Sequence, residues 1–167
     1  MHRGRLAGVF YLLNIVAGAS ALFLRGRAAF TVILFAAACY VVVTVLFYGV
    51  FKTVGKTASL AAACVSFAGC GISAVAPLRL VPSNINPLLF FGVYCVLSGY
   101  LAYRSTFVPR ILGVLMAIGG LGWLTFGLSA LLAVPLGGNL SGPIVAPGLL
   151  GESALTVWLL AFGHRIP

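Results

Sequence analysis

Acidic side chains are nearly absent. One glutamate, Glu152, stands against ten Lys and Arg in 167 residues. It is the sole side-chain carboxylate, and without an aspartate no aspartyl dyad can form. Histidine is limited to His2 and His164, at the two ends of the chain. No imidazole within an apolar stretch is therefore available to activate a serine or to ligate haem between helices. Gly18-Ala-Ser-Ala21 resembles part of a membrane serine-protease motif, but Ala21 stands where a glycine is needed and Ser20 has no evident base. The four cysteines, Cys39, Cys64, Cys70 and Cys95, lie in apolar runs and form no C-x-x-C pair. Such cysteines behave as small hydrophobes rather than as a metal or disulfide framework. These missing groups lead to an expectation of no cofactor, no metal and no catalytic activity.

Charge of either sign is scarce. Charged residues make up 7% of the chain, against about 25% in a typical soluble domain. Hydrophobic residues make up 62% and the mean hydropathy is +1.20. A soluble core cannot hide that much apolar surface, so the bilayer is the main solvent. The net charge of +9 is spread singly or in pairs between apolar runs, leaving no continuous basic face for nucleic acid. These cations read as membrane flanks that meet anionic lipid headgroups, at about 1 kcal/mol per residue. Val54-Gly-Lys-Thr57 echoes the end of a phosphate-binding loop, but Val50 takes the place of its first glycine and no strand precedes it.

What the chain does have is six apolar runs, over 6–24, 28–51, 57–77, 88–103, 111–134 and 143–163. Each approaches the roughly 20 residues that a helix needs to cross a bilayer. Backbone groups in hydrocarbon must be satisfied within the helix. The pattern predicts one all-α domain, a polytopic transmembrane helix bundle of about six spans. Phe47, Tyr48 and Phe51 beside Lys52 suggest an aromatic and basic interfacial anchor.

Run three carries Ala58, Ala62, Ser66, Cys70 and Ala74 at four-residue spacing. Small residues along one face let another helix approach closely, within the bundle or in a helix–helix oligomer. Run five holds Gly113, Gly119, Gly120, Gly122 and Gly127, and is a second close-packing element. Trp123 and Trp158 are read as packing residues. The start of the last helix stays open: bilayer thickness favours Pro143, which puts Glu152 near mid-depth, whereas the preference of proline for a first helical position favours Pro147. For six spans, seven Lys and Arg fall on one side (Arg3, Arg5, Lys52, Lys56, Arg104, Arg110 and Arg165) and three on the other (Arg25, Arg27 and Arg79). The positive-inside rule then places both termini in the cytoplasm and the protein in the cell membrane.

Three stretches carry a resemblance: Asn86-Pro-Leu-Leu-Phe-Phe-Gly-Val-Tyr-Cys-Val-Leu-Ser-Gly-Tyr-Leu101, Pro109-Arg-Ile-Leu-Gly-Val-Leu-Met116 and Ala146-Pro-Gly-Leu-Leu-Gly-Glu-Ser-Ala-Leu-Thr-Val-Trp-Leu-Leu160. In these the chain resembles the prokaryotic membrane-protein family with domain of unknown function 4386, and Arg5-Leu-Ala-Gly-Val-Phe-Tyr-Leu-Leu13 is similar to that family's opening helix. The resemblance implies a multi-helix integral membrane protein. It implies no reaction, ligand or catalytic residue.

Glu152 is the candidate intramembrane ionisable site. Burying its charge costs several kcal/mol unless a partner or a proton neutralises it. In one reading it bonds neighbouring helices, or pairs with Arg79, Arg25 or Arg27 at the outer interface, in a protein with a structural or interaction role. In the other it gains and loses a proton, as the site of a small proton- or ion-coupled transporter or channel, with Asn14 among the polar residues along its path. The first reading is the one the sequence favours, because a single isolated carboxylate is thin evidence for a pump.

Overall fold

The computed structural model describes residues 3–82, 84–134 and 138–166, with side chains for all of these except 138–141 and 145. Six α-helices follow one another: α1 (Arg3–Ala21), α2 (Gly26–Phe51), α3 (Lys56–Val75), α4 (Leu88–Arg104), α5 (Arg110–Leu131) and α6 (Gly138–Phe162). Short 3₁₀ turns extend α3 over Ala76–Leu78 and α6 over Gly163–Arg165. The described residues are all-α, as the apolar runs predict. Five helices are long and apolar enough to cross a membrane, while α4, with 17 residues, is shorter.

The boundaries follow local chemistry. Helix α1 stops at Ala21, short of the predicted end at residue 24, because the chain turns through Gly26 at φ 61°. That turn leaves Leu22 and Phe23 exposed. Helix α4 begins where the Asn86 side-chain carbonyl accepts the Leu88 N–H at 2.9 Å. It ends at a turn in which the Ser105 hydroxyl donates to the Ala102 carbonyl at 2.7 Å and accepts the Val108 N–H at 3.3 Å.

Helix α6 begins at Gly138 and carries Pro143 and Pro147 inside it. Its stretch long and apolar enough to cross a membrane is Gly142–Arg165, which agrees with the start at Pro143 and not with that at Pro147. A proline ring removes one backbone donor and crowds the carbonyl four residues back, usually kinking or ending a soluble helix. In membrane helices neighbouring groups re-satisfy that backbone and the helix runs on.

Each helix packs on its neighbours in the chain, and α6 packs back on α1. The six therefore form a closed ring of antiparallel helices. One end, here the basic end, carries the 52–55 and 105–109 turns together with Arg3 and Arg165. The stripe on α3 faces inward, with Ala62, Ser66 and Cys70 buried.

The α4–α5 seam is the closest. A Cβ on Gly113 would lie 2.6 Å from the Gly99 carbonyl oxygen, and one on Gly120 would lie 2.7 Å from that of Gly92. Two glycine pairs, seven residues apart on each helix, thus bring the backbones into contact. Such approach is how helices associate in lipid, where no hydrophobic drive separates helix from solvent.

The ring is filled by aromatic side chains. Tyr40 meets Tyr11 and Tyr94 edge-on at centroid distances of 5.7 and 5.4 Å. Phe47 and Phe51 are buried and pack on Tyr11 and Phe107, so they belong to the core and not to the predicted interfacial anchor. Arg104 over Tyr100 and Arg110 over Tyr103, at 5.7 and 5.8 Å, take that place at the basic end.

Candidate functional site

Glu152 lies in the middle of α6, ten residues before Phe162, or about 15 Å along the axis at 1.5 Å per residue. Its side chain points into the ring and is 8% exposed. Two donors from other helices converge on one carboxylate oxygen: the Cys95 Sγ–H of α4 reaches Oε1 at 3.3 Å, and the Trp123 Nε1–H of α5 reaches it at 3.2 Å. One turn further on, the Thr156 hydroxyl donates to the Glu152 backbone carbonyl at 2.7 Å.

Glycine makes this geometry possible. A Cβ on Gly148, one turn before Glu152, would sit 2.6 Å from the indole nitrogen. The ring of Trp123 therefore lies flush on the α6 backbone with its N–H directed along the helix to the carboxylate.

Around this pair stand three tyrosines, Tyr11 from α1, Tyr40 from α2 and Tyr94 from α4. All three are buried, and their hydroxyls have no hydrogen-bond partner among the described residues. Each of them, like Cys95, stands near Glu152. An unpaired buried hydroxyl costs about 1–3 kcal/mol. Five helices thus contribute to one polar cluster inside an apolar bundle.

Arg25, Arg27 and Arg79 are exposed at the opposite end of the ring, and among the described residues no salt bridge joins any of them to Glu152. Asn14 is half-buried on α1, and the α1 residue facing the carboxylate is Tyr11. Among the described residues no group of three His, Cys, Asp or Glu side chains converges as a metal site.

Sequence reasoning singled out the acid and missed its surroundings. Cys95 and Trp123 are separated from Glu152 by 57 and 29 residues, and nothing local marks them. The tyrosines did leave a signal. Membrane tyrosines favour the interfacial belt, yet Tyr11, Tyr40 and Tyr94 lie well inside their runs.

A ring of apolar helices closed on a buried polar centre defines a polytopic integral membrane protein. Its carboxyl-terminal half, residues 83–163, matches the family model described as domain of unknown function (DUF4386). That is the family the sequence resembles. The match spans α4, α5 and α6, and so takes in Cys95, Trp123 and Glu152, while the similar opening helix lies outside it. No curated protein and no solved structure matches the chain.

Proposed function

We propose that the protein is a small proton-coupled membrane transporter in which Glu152 is the proton-exchange site. The observation that supports this is the central cluster: the sole side-chain carboxylate, joined to no cation among the described residues, amid three buried hydroxyls that have no hydrogen-bond partner of good geometry among those residues. A bundle selected only for packing gains nothing from such groups, since apolar residues of similar shape would be neutral or stabilising. Buried polar groups left unsatisfied in lipid mark pathways and relays. In this reading no step is catalytic, both termini lie in the cytoplasm of a cell-membrane protein, and anionic lipid headgroups meet the basic flanks.

The structural reading keeps one observation in its favour. Cys95 and Trp123 tie α4, α5 and α6 together through Glu152, as polar glue between helices does. One measurement separates the two. Because Glu152 is the only side-chain carboxyl, an infrared carbonyl band that Glu152→Gln removes belongs to it alone. Proton exchange requires that band to come and go between about pH 4 and about pH 10, and a pH step on proteoliposomes to drive a transient current that Glu152→Gln lacks. A band that never changes, with the fold intact, leaves only the structural role.

A further inference from the structure

The buried polar groups are distributed unevenly along the ring. Thr44, Ser59, Ser66, Ser98, Ser105 and Thr156 are buried, and counted from the helix ends all lie at the level of Glu152 or between it and the basic end. On the other side of Glu152, the buried positions include Ala17, Ala36, Cys39, Cys70, Gly92 and Gly127. Among the described residues, that half of the interior is apolar and closely packed.

The hydroxyls form a series. Tyr94, Thr44 and Ser98 line one cavity, and the Tyr94 hydroxyl has no hydrogen-bond partner among the described residues. The Thr44 hydroxyl lies 2.6 Å from that of Ser66. The cavity, of about 10 Å³, is lined by Thr44, Tyr48, Ser59, Tyr94, Ser98 and Leu101 among others. That is close to the space one water needs when polar partners surround it. Ser59 donates to the Tyr48 carbonyl at 3.5 Å and stands one turn from Lys56, at the start of α3.

We propose that Glu152 exchanges its proton with water at the basic end through this hydroxyl-lined seam between α2, α3 and α4, and that the opposite half of the ring is closed to protons. This rests on the reading of Glu152 given above. The proton leaves the carboxyl oxygen. Each hydroxyl or water along the seam accepts one proton on a lone pair and passes its own forward. The net change is a carboxylate at Glu152 and one hydronium at the basic end. Tyr94 links the two parts, since it adjoins Cys95 in α4 and faces Thr44 and Ser98. The titratable groups facing the carboxylate are Tyr11 from α1, Tyr40 from α2 and Tyr94 and Cys95 from α4, while α5 presents the indole of Trp123.

The test follows the Glu152 carbonyl band in time after an alkaline pH jump, with the protein in lipid nanodiscs. Thr44→Val with Ser66→Ala, and separately Ser98→Ala, should slow loss of the band by at least about tenfold and leave its equilibrium titration unchanged. Asn14→Leu, off the seam, should leave the rate as it was. The Ser98→Ala variant carries the test if the double variant does not fold. Wild-type rates in the seam variants overturn the route, whereas a wild-type band that never titrates sinks the reading of Glu152 and the route with it. Sidedness gives a second measurement. Lys52 and Lys56 are the only lysines and lie at the basic end, so an impermeant amine reagent reports their orientation in proteoliposomes. A pH step on that face should discharge the band, and discharge from the opposite face overturns the proposal.

Discussion

Replacing Gly113 by alanine adds one methyl where two helix backbones touch. The new Cβ would lie 2.6 Å from the Gly99 carbonyl oxygen and 2.5 Å from the Tyr103 nitrogen, while ordinary contact begins at 3.4 Å. Helices α4 and α5 must then part by up to about 0.9 Å, or a backbone must bend by as much. Overpacking of this kind costs about 1–3 kcal/mol, and alanine returns roughly 0.5–1 kcal/mol through its better helix propensity. The expected net loss is about 0–2.5 kcal/mol, centred a little above about 1 kcal/mol. Gly71→Ala on α3 supplies the control, because nothing lies within 4 Å of a Cβ there. It should be neutral or stabilising by up to about 1 kcal/mol. Unfolding in mixed micelles, followed by helical circular dichroism, measures both. If the two variants unfold at the same denaturant concentration, the α4–α5 backbone contact does not hold the ring together and the reasoning fails.

Trp123→Phe removes the indole N–H that reaches Glu152 and should lower stability by about 1–3 kcal/mol. Trp158→Phe, at a half-buried position, should cost less, and equal losses in thermal unfolding would deny the hydrogen bond its weight. Thr44→Val and Ser66→Ala remove the two ends of a 2.6 Å bond, so a double-mutant cycle should return a coupling of about 0.5–1.5 kcal/mol; strict additivity would contradict it. Ala133 stands at φ 53°, a left-handed conformation that glycine adopts without strain. Ala133→Gly should therefore be neutral or stabilising by up to about 1 kcal/mol, and a loss above that in the same unfolding assay would count against the geometry.

The six helices were legible because hydrocarbon thickness sets a length that each apolar run approaches. Glu152 was legible because a lone carboxylate in such a run has no bland composition to hide in. The stripe on α3 was legible because a four-residue spacing is local. The ends were harder. Leu22 to Leu24 are as apolar as the helix before them, and only Gly26 turns the chain. Pro147 imitates a helix start by a rule drawn from water-exposed helices. The site was least legible, since Cys95 and Trp123 acquire their meaning only when α4 and α5 are laid beside α6. Small apolar side chains such as Cys95 give no sign of which neighbour they will meet.

The ring closure bears on how the chain is assembled in the membrane. Since every helix touches its neighbours in chain order, each hairpin can dock on the one inserted before it, and only the α6–α1 contact must wait. Helix α6 carries the carboxylate, which is costly to leave facing lipid. By the time it arrives, the indole of Trp123, the thiol of Cys95 and the phenol of Tyr11 are already in place. The carboxylate therefore enters after α1 to α5, into a berth built by the helices ahead of it.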